Sequence, residues 1–94
     1  MRVEWDDEKA VANLRKHKLS FQKAAEVFDD EFHVSVDDEF AIGEERFIST
    51  GLVAEIGLIV VVHTIENEGT NDEFARMISA RRAERHERKA YENG

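Results

Sequence analysis

The chain has 94 residues, 41% hydrophobic and 36% charged, with 13 Lys/Arg against 21 Asp/Glu and a formal net charge of −8. That length gives one domain over residues 1–94 with a single modest core. The absence of cysteine excludes a disulfide framework, a thiolate nucleophile and a cysteine-ligated zinc site.

Arg2-Val3-Glu4-Trp5 alternates polar and apolar and predicts a short strand. Asp6 or Asp7 then caps a helix over 7–18, because a short carboxylate accepts from the free N–H groups of the first turn. In that helix Ala10, Val11, Leu14 and His17 form the inward face, while Lys9, Asn13, Arg15 and Lys16 point away. A tight turn at Lys18-Leu19 leads to a second helix that starts at Ser20, carries Phe21, Ala24, Ala25 and Phe28 at helical spacing, and ends at Asp29-Asp30. From Phe32 the period changes to two. Strands are predicted over 32–36, 46–53, 57–65 and 74–79, with a hairpin turn around Glu55-Ile56-Gly57 and a polar loop over 67–72. A last helix is expected over 80–93. The order β-α-α-β-β-β-β-α predicts an α+β fold: a small antiparallel sheet, a four-strand meander plus the short N-terminal strand, with an N-terminal helical hairpin and a C-terminal helix packed on one face.

No apolar run is long enough to span a bilayer, and the N-terminus lacks the basic-then-apolar layout of a secretion signal. A cytoplasmic location without membrane contact is the expectation. Charge is unevenly distributed: six Lys/Arg against four Asp/Glu in residues 1–23, one against fourteen in 24–75, and six against three in 76–94. Two basic ends flank an acidic middle, so a local basic patch is compatible with the negative total. No Gly-rich phosphate loop, nucleophile elbow or Ser/His/Asp arrangement is present, which argues against nucleotide hydrolases and acyl-transfer enzymes. No His/Asp/Glu group has metal-ligand spacing, and no cofactor is expected.

Several segments together resemble one family. Glu4-Trp5-Asp6 with Lys9, Asn13-Leu14-Arg15-Lys16-His17, Ser20-Phe21 with Ala24, and Val27-Phe28-Asp29-Asp30 cover the N-terminal half. Gly43-Glu44-Glu45-Arg46-Phe47 with Gly51, Val60-Val61-Val62-His63-Thr64, and Ile78-Ser79-Ala80-Arg81-Arg82-Ala83 through Glu87-Arg88 and Tyr91 cover the rest. In this order they resemble the BrnT-like ribonuclease toxins of bacterial type II toxin–antitoxin pairs. The resemblance implies a RelE-like fold and metal-independent RNA cleavage that inhibits growth. It also implies neutralisation by a BrnA-type antitoxin, through which alone DNA would be contacted. The loop over 66–73 is longer and more acidic than that pattern, and the whole chain is more acidic.

Metal-free RNA cleavage needs a base for the ribose 2′-OH, a cation for the pentacoordinate phosphate and an acid for the leaving oxygen. Arginine suits the second role because its planar fork matches two phosphate oxygens. The candidates are Arg46, the only basic residue in 24–75, with Arg76 and Arg81. Arg82 stands beside Arg81 where a strand is expected to pass to a helix whose first N–H groups would assist phosphate. For Arg46 the competing reading is a structural pair with Glu44. Glu44 is either a base, a partner that orients Arg46, or part of a solvated acidic turn. His63, at the end of an apolar strand, either transfers protons or is a partly buried histidine bonded to a strand neighbour. Arg85 and Arg88 read as surface residues or antitoxin contacts, with Arg85 also a candidate for RNA binding. Tyr91 either contacts RNA or docks the last helix onto the sheet, and Trp5 suits core packing better than base stacking. The leading expectation is an RNA endonuclease toxin; the alternative is a non-catalytic module that acts only with its antitoxin in promoter autoregulation.

Overall fold

The computed structural model describes residues 1–93. In chain order it has β1 (Arg2–Trp5), α1 (Asp7–His17), α2 (Phe21–Ala24) continued by a 3₁₀ turn (Ala25–Asp29), β2 (Val34–Asp37), β3 (Phe47–Val53), β4 (Gly57–Glu66), β5 (Phe74–Arg82) and α3 (Arg85–Asn93). Asp6 caps α1 by accepting from the Glu8 N–H at 2.9 Å, and Lys18 takes the left-handed conformation that ends it. Ser20 caps α2 through the Lys23 N–H at 3.1 Å.

The five strands form one sheet in the order β1-β5-β4-β3-β2. Strands β2 to β5 pair in chain order as antiparallel neighbours, and β1 adds outside β5 in parallel. Alternation locates β1 in the sequence but does not choose its partner, because no hairpin turn ties it to another strand.

The register divides the side chains into two faces. One carries Val3 and Trp5 of β1, Ser49, Gly51 and Val53 of β3, Ile59, Val61 and His63 of β4, and Met77 and Ala80 of β5. The core lies here, where Leu19, Phe21, Ala24 and Val27 pack on Val53, Ile59, Val61, Met77 and Ala80. Trp5 meets Phe21 edge to face with centroids 5.9 Å apart, the packing role expected of it. The 3₁₀ turn approaches β3 so closely that a Cβ on Gly51 would lie 2.9 Å from the Val27 carbonyl oxygen.

Four expectations need correction. The sheet is mixed rather than wholly antiparallel, because β1 joins β5 in parallel and no hairpin turn ties it to another strand. The helices do not share one face. Helix α3 closes over Val34, Val36, Ile48 and Thr50 on the side opposite α1 and α2. Strand β5 runs to Arg82 and α3 starts only at Arg85, so Arg81 and Arg82 are strand residues rather than the start of a helix. Helix α1 is also rotated from its apolar stripe: Val11 is 57% and Leu14 51% exposed, while Asn13 is buried. Strand β1 stops opposite Met77, which leaves the Ala80 backbone without a strand partner on that edge. The Asn13 amide takes the vacant position. It accepts from Ala80 N–H at 3.0 Å and donates to the carbonyls of Ala80 at 2.9 Å and Leu19 at 3.1 Å. Satisfying those buried backbone groups outweighs burying a leucine at that point of the helix.

Candidate active site

The candidate catalytic residues fall on opposite sides of the sheet. His63 is 2% exposed on the core side, with Phe28 edge-on at 4.9 Å between centroids and Phe47 stacked at 5.9 Å. Its Nδ1 lies 3.1 Å from the Thr64 carbonyl, which can only accept, so Nδ1 carries the proton. Nε2 is then free to accept from the Ser49 hydroxyl at 2.7 Å, and Ser49 lies 2.6 Å from the Ser35 hydroxyl. Burial holds the His63 pKa below its usual 6.5; the Thr64 carbonyl opposes that and the nearby His33 adds to it. This is a buried neutral imidazole bonded to a strand neighbour, and Ser49 links it to the exposed Ser35.

The arginines belong to the other face. Phe47 shares the core side with its register partner His63, so Arg46, one residue earlier, turns to the opposite side. Arg76 is the register partner of Thr64, the residue after His63, and therefore shares that side. Arg76 is exposed and, among the described residues, has no ion-pair partner. Its guanidinium lies 5.4 Å from the centroid of the Phe74 ring, and Arg2 lies 4.6 Å from the same ring while pairing with Glu4 at 2.9 Å. An exposed cation–π contact is worth roughly 0.5–1 kcal/mol, enough to bias the side chain's orientation while leaving its N–H groups available. Arg46 donates from Nε to Glu44 Oε1 at 3.2 Å, and its carbonyl accepts from the Asp38 N–H at 2.8 Å. Glu44 is exposed, so this contact is the pair that both the orienting and the structural readings allow.

Arg81 points to the same side as Arg76, but its partner on β4 is Val60, four residues from Thr64. That separation is about 13 Å at the rise of a strand, so Arg81 and Arg76 would have to stretch towards each other to share one phosphate. Arg81 is also engaged. Its two terminal nitrogens bond both oxygens of Glu87 at 2.8 and 2.7 Å. Hydrogen bonding to Glu87 raises the Arg81 pKa against the opposing effect of burial, and the same bond lowers that of Glu87. Glu87 Oε1 also accepts from the Glu84 N–H at 2.8 Å, closing the start of α3 as half of a capping box. Arg82 is exposed and alternates to the other side of the strand, and Arg85 is exposed at the first turn of α3. Tyr91 donates its hydroxyl to Asp30 Oδ2 at 2.6 Å and docks α3 over the β2 end of the sheet. Among the described residues no group of three or more His, Asp or Glu side chains is arranged to hold a metal ion.

The family profile described as "Ribonuclease toxin, BrnT, of type II toxin-antitoxin system" matches residues 5–87. The chain belongs to the BrnT ribonuclease toxins. It shares the fold of the Brucella abortus ribonuclease toxin BrnT, whose crystal structure at 1.1 Å superposes with a TM-score of 0.61. That relative is 24% identical, with 89% of this chain and 97% of the other covered. No curated protein matches the chain. As the toxin of a type II pair, a BrnT protein has an antitoxin protein as its partner. No helix among the described residues is long and apolar enough to cross a membrane.

The profile match spans Glu44, Arg46, His63, Arg76, Arg81, Arg82 and Arg85 but ends before Tyr91. Three polar residues that organise this BrnT chain are not found by sequence reasoning. Asn13 reads as a solvent-facing helix residue and Asp30 as the end of a helix, while Ser49 has no signal beyond its place in a predicted strand. Asp30 in fact accepts from Tyr91, from the Leu52 N–H at 2.8 Å and from the Phe32 N–H at 2.9 Å. Burial opposes its ionisation, but these bonds outweigh it and lower its pKa.

Proposed function

We propose that this BrnT toxin is an endoribonuclease that cleaves without a metal ion, with Arg76 and Arg46 as its phosphate-binding pair. The exposed, unpaired Arg76 on the same sheet face as Arg46 carries this reading. The ribose 2′-oxygen attacks the adjacent phosphorus and its proton passes to the Glu44 carboxylate. The P–O5′ bond then breaks and the departing 5′-oxygen takes a proton from solvent water, leaving a 2′,3′-cyclic phosphate and a 5′-hydroxyl. Two guanidinium forks meet the charge that develops on the non-bridging oxygens. Arg85 extends the contact along the RNA, and Arg82, on the other side of the strand, meets RNA that rounds the end of β5. His63 supports the site from beneath by fixing Phe47, the neighbour of Arg46, rather than by touching substrate. Arg81 acts through α3, and Tyr91 through the docking of that helix. A BrnA-type antitoxin neutralises the activity in the cytoplasm and alone contacts promoter DNA. The helical hairpin against a mainly antiparallel sheet supports a RelE-like classification.

A non-catalytic module that works only with its antitoxin is the second reading. It is favoured by the burial of His63 and by the closed Arg81–Glu87 pair. Induced expression of the chain alone separates the two, next to an Arg46→Ala/Arg76→Ala variant. Growth arrest, with RNA fragments ending in cyclic phosphate in the presence of a chelator and absent from the variant, supports the nuclease. Normal growth with abundant soluble native protein moves the assignment to the binding module.

A further inference from the structure

Strand β2 forms one edge of the sheet, paired only with β3. The Leu52 N–H turns to the β2 side to meet Asp30, and the Arg46 carbonyl turns the same way to accept from Asp38. Even-numbered residues of β3 therefore face β2, and their register partners Val34 and Val36 face back. The N–H and C=O groups of Ser35 and Asp37 consequently point outward, and both residues are exposed.

This open edge runs beside a mainly apolar cleft of about 200 Å³ lined by Val34, Val36, Ile48 and Tyr91 and, from α3, also by His86 and Glu87. Phe40 and Ile42, in the loop after β2, are 89% and 93% exposed. On the core side of the sheet the edge instead presents Ser35 and Asp37. Residues 29–45 hold eight Asp/Glu and no Lys or Arg. Pairing between two copies along β2 would set like charges against each other, which disfavours a second copy as the occupant.

We infer that β2 is the docking edge for an extended, cationic segment of the protein partner, added as a sixth strand. This rests on the reading that the chain works with an antitoxin protein. The added strand alternates apolar and basic side chains. Its apolar set enters the cleft beside Val34 and Val36, and its Lys or Arg set meets Asp37 and the acidic loop. Backbone bonds from Ser35 and Asp37 supply register, and the alternation supplies specificity.

The test uses the full-length protein and a synthetic heptapeptide alternating Lys with Val or Leu, beside a peptide of the same composition in blocks. Binding is followed by fluorescence anisotropy and by amide exchange. The alternating peptide is expected to slow exchange of the Ser35 and Asp37 amides at least tenfold and to bind at least tenfold more tightly than the block peptide. Asp37→Lys is expected to weaken it at least tenfold. Equal binding of the two peptides would reduce the effect to bulk charge and overturn the inference. So would unprotected Ser35 and Asp37 amides, protection by a short RNA instead of the peptide, or protection that appears without peptide as protein concentration rises. Loss of peptide binding with RNA cleavage intact rejects this edge and leaves the nuclease reading standing; loss of cleavage with β2 protection intact does the reverse.

Discussion

Arg81 and Glu87 are joined by two parallel hydrogen bonds, Nη1 to Oε1 and Nη2 to Oε2, which couple the end of β5 to the first turn of α3. The next side chain of α3 anchored to the body of the protein is Tyr91, one turn on, and no residue of the helix is buried. A helix that buries so little apolar surface depends on such polar fixings for its position.

Arg81→Ala and Glu87→Ala should each destabilise the fold by about 1–2 kcal/mol, the lower part of the range for a charged pair because the arginine is partly solvated. The double variant should lose little more than either alone. Urea denaturation of the four proteins in a double-mutant cycle measures the coupling. Additive losses would mean that the two side chains act independently and that Arg81 is available for phosphate.

Asn13→Ala should cost about 2–4 kcal/mol, because it removes three bonds and leaves the buried Ala80 N–H without an acceptor. Asn13→Leu restores the apolar pattern of the helix and should be no better. A thermal melt of Asn13→Leu matching the native protein would show that the amide is dispensable.

For His63, the folded pKa is depressed below 6.5, so as pH falls through 6.5 the unfolded chain takes up a proton that the folded protein refuses. Stability should therefore decline with acid from pH 6.5 down to the depressed folded value and be flat above. His63→Gln keeps an amide able to meet Ser49 and Thr64 and should remove that slope. Denaturant midpoints between pH 5 and 8 report it, and a slope unchanged in the variant would assign the titration elsewhere.

Tyr91 is the only tyrosine, so phenolate absorbance reads it directly. The hydrogen bond to Asp30, with burial and the carboxylate's charge adding to it, raises its pKa above 10.0. Its contribution to stability is present at lower pH and is lost as pH climbs through that raised value. Asp30→Asn should bring the midpoint back towards 10. Tyr91→Phe should lower Tm by a few degrees and leave the cleavage rate within twofold, whereas a hundredfold loss of rate would give the phenol a direct role with RNA.

Much of the architecture is legible in the sequence because it follows from local periodicity. The caps Asp6 and Ser20, the turn at Lys18 and the apolar run of β4 lie where spacing places them. The rest depends on partners far away in the chain. Asn13 is polar and mid-helix, and nothing within a helical turn reveals that Ala80 needs it. Arg81 and Arg82 are followed by a helix-forming composition, yet pairing with Val60 and Ile59 keeps them in the sheet. Spacing cannot assign His63 and Arg46 to opposite faces until β3 and β4 are set in register.

The parallel pairing of β1 with β5 joins Arg2 to Phe74 and Trp5 to Met77. The first strand made therefore waits for the last. During synthesis the N-terminal segments can form helical turns, but β1 has no neighbour until β5 has been translated and released from the ribosome. High sequence separation slows folding for the same reason. A nascent chain of this ribonuclease toxin family stalled before β5 therefore carries an open sheet edge at β4, with β1 left unpaired.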